Sequence, residues 1–258
     1  MGNQQELIER WNAFLQKIEN RFAESLAYAE EACSEQLVST DYEYETVLRS
    51  WQGMKAQVHE LIRKIDVVWD TKVMPEMRSL GDFYIDEGYK ASDTNDRLTE
   101  ELFAFERKLE GKLAQRFYDH AIQVANKKAS CSQCNADIAI RKDIFRAQYI
   151  SCGYCNTVNT VQPETKFLKI GWGIVDNIAK IKAQREFDEL GRTEEALRLQ
   201  RKPVANSYWI NYENAYYGYW ERFFKERITL NSEAAERYED DMKRKRTEFE
   251  NYKEIQTK

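Results

Sequence analysis

Four cysteines in two pairs are the residues of this chain best placed to do chemistry: Cys131-Ser-Gln-Cys134 and Cys152-Gly-Tyr-Cys155. Two intervening residues let a tight turn aim both sulfurs at one point, and a second such turn completes a tetrahedron of thiolates. Seventeen residues separate Cys134 from Cys152, within the spacing of about 15–20 that marks paired CxxC turns as a metal site. Asn135 and Asn156 follow the two pairs, where a chain leaving such a turn often needs positive φ. Asn tolerates that conformation better than most side chains. Four protein ligands leave no open position on the metal, so the chemistry is structural rather than catalytic.

Other chemistry is poorly represented. The chain has two histidines. His59-Glu60 begins like the HExxH of metalloproteases, but position 63 is Arg. Di-iron bundles place Glu three residues before His; here those positions are Ala56 and Phe117. His120 falls on an apolar stripe and reads as a hydrogen-bonded core residue. No phosphate-binding loop, nucleophile elbow or dinucleotide fingerprint occurs. Adjacent carboxylates such as Glu30-Glu31 and Glu194-Glu195 diverge around a helix and read as solvated. The chain reads as non-enzymatic.

Around the cysteines lie Ile138, Ile140, Phe145, Tyr149, Ile150, Val158 and Val161, which predict short strands rather than a helix. At these residues, roughly 129–163, the chain resembles a zinc ribbon, a small β module built on two cysteine knuckles. The resemblance implies a structural Zn2+ held by Cys131, Cys134, Cys152 and Cys155. Rubredoxin-like modules use similar knuckles, which keeps Fe and electron transfer as a lesser alternative.

The elements that must carry this module are helical. Charged residues make up 32% and hydrophobic residues 42% of the 258, with ten Gly and three Pro. Few breakers and many charges favour long helices with narrow buried seams. Over 3–38 the residues Leu7, Trp11, Phe14, Ile18, Phe22, Leu26, Ala29, Cys33 and Leu37 recur at steps of three or four. Such a helix is roughly 50 Å long. Ser39, Thr40 and Asp41 are positioned to cap a second helix, with Val47, Leu48, Trp51, Met54, Val58, Leu61, Ile62, Ile65 and Val68 on its apolar stripe, ending near Pro75. Residues 75–92 predict a loop with a possible short helix, its aromatics Phe83, Tyr84 and Tyr89 tucked inward. A third helix, capped by Ser92 or Asp93, carries Leu98, Leu102, Phe105, Leu109, Leu113, Phe117 and Val124. After Pro163 a fourth carries Phe167, Ile170, Ile174, Ile178 and Ile181 and stops at Gly191. Its Gly171-Trp172-Gly173 marks a close contact or kink. A short helix over 193–200, closed by Pro203, comes before an aromatic helix and a last helix from Asn231 carrying Ala235, Tyr238, Met242, Phe249 and Tyr252.

The expected fold is therefore mainly α: an elongated antiparallel long-helix bundle with a small inserted β zinc ribbon. Residues 1–128 form its N-terminal part, 129–163 the ribbon insertion and 164–258 its C-terminal part.

Tyr208 to Phe224 is unusual, with nine aromatic residues in 17. Trp209, Tyr212, Tyr216, Trp220 and Phe223 share one helical face. Tyr208, Tyr217, Tyr219 and Phe224 broaden it, so either other helices surround this one or part of it is a contact surface.

Net charge is −5, which exerts no global pull toward nucleic acid or anionic membrane. Residues 129–163 hold three basic and two acidic side chains, and a zinc centre of four thiolates adds about two negative charges. Nucleic-acid association is thus the second reading, behind a scaffold or adaptor binding another protein or a second copy. The candidate contact residues are Arg141, Lys142, Arg146 and Tyr154 on the ribbon and Tyr208, Tyr217, Tyr219 and Phe224 on the aromatic helix. The fifth cysteine, Cys33, reads as a small buried hydrophobe. The absence of a disulfide framework, a signal region or a long apolar run points to a soluble cytoplasmic protein with no membrane span. Glu6 spoils an otherwise myristoylation-like start.

Overall fold

The computed structural model describes residues 2–81, 85–128, 130–140, 147–162 and 165–257. Among these the chain is mainly α-helical with one small antiparallel sheet, as the composition predicts. In order the elements are α1 (Gly2–Ser39), α2 (Tyr44–Val68), α3 (Met74–Ser79), α4 (Ile85–Lys128), β1 (Gln148–Ser151), β2 (Val158–Val161), α5 (Thr165–Lys182), α6 (Gln184–Arg198), α7 (Asn206–Leu230) and α8 (Tyr238–Thr257). By internal contacts the chain divides into two units, Met1–Leu113 and Ala114–Lys258.

In the first unit, α1 buries Leu7, Trp11, Ile18, Phe22, Ala29, Cys33 and Leu37 as its periodicity predicts, and Leu15 besides. The turn after it differs from expectation. The hydroxyls of Ser39 and Thr40 donate back to the Gln36 carbonyl at 3.2 and 2.7 Å. They therefore finish α1 rather than start α2, whose first cap, Glu43, makes no side-chain cap bond. Asp41 and Tyr42 make the reversal in the left-handed region, at φ 51° and 60°, and the Tyr42 amide donates to the Leu37 carbonyl at 2.8 Å.

Polar contacts set the helix directions. On α2, Trp51 Nε1, Gln52 Nε2 and Lys55 Nζ all donate to the Glu106 carboxylate of α4, at 3.2, 3.3 and 2.6 Å. Farther along, Asn95 Nδ2 donates to Asp66 at 2.5 Å. Rising numbers on α2 meet falling numbers on α4, so the two are antiparallel. Lys90 bonds Asn12, Arg97 pairs with Glu19 and Lys112 with Glu30; numbers rise together, so α1 and α4 are parallel.

Pro75 does not end the second helix. A π-helical turn over Trp69–Val73 shifts the hydrogen-bond register, and the Met74 amide donates to the Trp69 carbonyl. Pro75 then falls in the first turn of α3, where a missing N–H costs nothing. The helix expected to begin after Ser92 or Asp93 begins at Ile85, so both are interior, exposed residues rather than caps. Gly88 makes this extension possible: a Cβ there would stand 3.0 Å from Trp69 Cζ2. Trp69 in turn lies against the buried Trp11, ring centroids 5.6 Å apart. Tyr89, expected to turn inward, is exposed. Phe83 and Tyr84 lie outside the described residues.

In the second unit, α5 and α6 both pack against α7. The expected single helix to Gly191 breaks earlier, at Ala183 (φ −96°, ψ 18°), which is fully buried. The bend there lets Phe187 and Leu190 of α6 join Ala179, Tyr219, Phe223, Phe224 and Met242 in one cluster. Gly191 is an ordinary residue inside α6, which runs on to Arg198 and absorbs the separate short helix expected there. Gly171-Trp172-Gly173 continues α5 without a phosphate-type loop. A 3-10 turn over Ser232–Arg237 precedes α8 and rotates the stripe, burying Ala234 and leaving Ala235 exposed.

An ionic cluster centred on the largely buried Arg227 and Asp241 joins three helices of this unit. Arg227 of α7 lies 2.8 Å from Asp176 of α5, a charge contact whose angle makes no hydrogen bond. It also lies 3.3 Å from Asp241 of α8, whose other oxygen takes Arg244 at 2.9 Å. The guanidinium stands 5.0 Å from the Trp172 ring centroid. Burial pushes the Asp176 carboxyl up, against the pull of Arg227 and Lys180. No described helix is long and apolar enough to cross a membrane.

Two outcomes follow from the first unit. Gly88→Ala gains helix propensity of about 1 kcal/mol, but overpacking against a held indole costs about 1–3 kcal/mol. Net destabilisation is expected in urea unfolding, and a more stable variant would contradict the contact. Burial raises the Glu106 carboxyl, but Lys55, Trp51 and Gln52 outweigh it and hold it below its usual range. Its contribution is present above the unfolded value, about 4.3, and is lost as pH falls through the lower folded value. The stability gap between wild type and Glu106→Gln should therefore close on acidification, measured by urea titration at each pH.

Candidate metal centre

Each CxxC folds into the same turn. In the first, the Cys131 amide donates to Ala136 O at 2.8 Å and the Asn135 amide to Cys131 O at 2.9 Å. In the second, the Cys152 amide donates to Thr157 O at 2.9 Å and the Asn156 amide to Cys152 O at 3.0 Å. Asn135 and Asn156 take φ 60° and 59°, the left-handed conformation their type predicts. The second turn is the tip of the β1–β2 hairpin, paired antiparallel from Gln148 with Val161 to Ser151 with Val158. The first is closed by a bridge between Ser130 and Asp137.

The two turns bring all four sulfurs within 4.8 Å of one another. Cys131 Sγ lies 3.5 Å from Cys155 Sγ, and Cys134 Sγ 3.6 Å from Cys152 Sγ. A tetrahedral ion with metal–sulfur bonds of about 2.3 Å sets its sulfurs roughly 3.8 Å apart, so the donor set fits such an ion. The described interior of the ribbon is otherwise slight. Ile138 packs with Cys131 and Cys152, bordered by Ala136, Ile140, Ile150 and Cys155.

Backbone amides point at the sulfurs. The Tyr154 amide stands 3.4 Å from Cys152 Sγ. The amides of Cys134 and Gln133 pull the Cys131 thiol down to about 6. The Thr157 hydroxyl and amide lower Cys155. The Ala136 amide favours the Cys134 thiolate too, yet the neighbouring sulfurs and burial push this thiol up to about 12. Four sulfurs this close cannot all carry charge unaided; a cation among them removes the conflict.

Among the described residues, these cysteines are the one cluster able to hold a metal ion. Cys33 is buried in the first unit, and burial pushes its thiol up to about 11, as befits a core residue. His59 is half-buried, edge-on to Phe103; His120 is half-buried on α4.

Of the contact residues proposed from sequence, Tyr154 is 89% exposed at the tip of the second turn. Arg141, Lys142 and Arg146 lie outside the described residues, as does Phe145. On α7 other helices supply the surroundings. Tyr219 and Phe224 are buried in the cluster with Ala183 and Met242, so they offer no surface. Tyr208 and Tyr217 are half-buried against Leu197, Trp209, Tyr212 and Phe249. Sequence reasoning passed over Ser132, Thr157 and Asn159 around the metal site. A trace was available in Asn159, a poor strand former inside Thr-Val-Asn-Thr-Val. It also passed over Asp241, which is buried.

Compared with known proteins, the chain matches no family model, no curated protein and no solved structure.

The purified chain should bind one tetrahedral metal ion. Cys152→Ser should lose tight binding and the order of the ribbon while keeping most far-UV helix signal, because the helices bury their own cores. Full metal content in that variant, measured by elemental analysis after gel filtration, would contradict the site.

Proposed function

We propose that this chain is a non-enzymatic, zinc-binding helical scaffold or adaptor, with the ribbon of residues 129–163 as its contact module. Zinc is favoured because closed four-cysteine sites with no open position are usually structural zinc sites. The observation that carries the contact role is what the ribbon leaves outside. Its interior is filled by sulfur and isoleucine. Tyr154 is 89% and Tyr149 74% exposed, and Val158 is exposed with them. Tyr149, Ser151, Val158 and Thr160 share the outer face of the hairpin by alternation along the paired strands. Exposed aromatic residues on a rigid support are typical anchors of protein interfaces.

Charge supports a protein partner over nucleic acid. Residues 129–163 carry three basic and two acidic side chains, and zinc held by four thiolates adds about two negative charges, which leaves no basic face. The partner is another protein or a second copy of this chain. A reducing, cytoplasmic setting suits a site built from thiolates.

The test is a photocrosslinker placed at position 154 of the zinc-loaded full chain in its native cells. A discrete protein crosslink that survives nuclease, and disappears with Tyr149→Ala or Cys152→Ser, is the expected result. Crosslinks to nucleic acid, or none at all, would overturn the reading. A red, iron-loaded preparation in place of a colourless zinc protein would move the site to electron transfer.

A further inference from the structure

Asn159 is 6% exposed on β2, and its side chain reaches from the second half of the ribbon into the first. Its Oδ1 accepts from the Ser132 amide at 2.8 Å and from the Ser132 hydroxyl at 2.9 Å. Its Nδ2 donates to the Thr157 carbonyl at 2.9 Å and to Cys131 Sγ at 3.6 Å. Two acceptor sites and two donor protons are all that an Asn amide owns, and each is used. The contacts are well chosen. Ser132 follows Cys131 in the first turn, and the Thr157 carbonyl is the same one that receives the Cys152 amide in the second.

A second grip runs alongside. Thr157 Oγ1 lies 3.3 Å from Cys155 Sγ and bonds the Gln133 side chain. Both residues between Cys131 and Cys134 are thus held by side chains from beyond Cys155.

We infer that Asn159, assisted by Thr157, is the positioning residue of the metal site: it locks the two cysteine turns in register and donates a hydrogen bond to the Cys131 sulfur. The inference rests on reading the four cysteines as a metal site. Two physical effects follow. Holding the turns together before the ion arrives reduces the ordering cost of binding. An N–H aimed at a thiolate draws charge from the sulfur and favours its ionised form. Asn159→Asp separates these effects from mere bulk. The carboxylate keeps acceptors for Ser132 but places an anion where Cys131 and Thr157 need a donor.

The experiment uses the full chain, with zinc affinity from competition against a chromophoric chelator and site electronics from Co2+ absorption. Wild type should take one Co2+ with a tetrahedral thiolate spectrum. Asn159→Ala should lower zinc affinity roughly 10- to 100-fold, and Asn159→Asp should lower it further. In both, the sulfur-to-cobalt charge-transfer band of the saturated site should move to lower energy. Thr157→Val removes only a hydroxyl and should cost roughly tenfold. A purely structural role would weaken binding without moving the band of the loaded site. Unmoved bands in the saturated Asn159 variants, or unchanged affinities, would overturn the inference. A wild-type chain that takes up no tetrahedral Co2+ would instead remove the metal reading on which it rests, a failure visible before any variant is compared.

Discussion

Mutual repulsion among four sulfurs is the constraint on which the ribbon depends. The two turns force them within 4.8 Å, a separation at which neighbouring thiolates repel one another strongly. A bound cation turns that repulsion into attraction. It would also supplement a described core of Ile138 and a few half-buried neighbours. With a metal bound, such a module would draw much of its folding energy from coordination.

The helices solve the opposite problem. They have apolar surface in plenty and must decide which charges to bury. Glu106 collects three donors from α2. Arg227 is shared between Asp176 and Asp241 over the faces of aromatic rings. Removing one member of such a cluster strands the others, which makes these clusters determinants of helix alignment more than sources of net stability.

Periodicity made much of this legible in the sequence. The stripe of α1 and the stripe of α4 from Leu98 to Phe117 are where the step of three or four residues placed them. Cysteine spacing located the cluster able to hold a metal ion, and residue type alone anticipated positive φ at Asn135 and Asn156. The misreadings have three causes: a local change of helical register, a turn whose hydroxyls bond backward, and packing by helices distant in sequence. Pro75 lost its power to end a helix because a π-turn moved the frame by one residue. Ser39 and Thr40 face backward because Asp41 and Tyr42 complete the reversal. Tyr219 and Phe224 widened the apolar face because α5, α6 and α8 supply the neighbours, and no single helix reveals who surrounds it.

Two of the pairs between α1 and α4 carry an ambiguity that other contacts resolve. Asn12 and Glu19 are seven residues apart, and so are their partners Lys90 and Arg97. Sliding α4 by two helical turns would still match one polar pair, bringing Arg97 to Asn12 or Lys90 to Glu19. Those pairs alone are a ruler with repeating marks. Lys112–Glu30 is spaced differently and breaks the repeat, and Gly88 is a second notch, where a Cβ would press to 3.0 Å from the Trp69 indole. A slide of seven residues would bring there either Asn95, which has a side chain to accommodate, or Gly81, which belongs to a turn. A missing methyl group thus helps to give a repeating pattern of polar pairs a single zero point.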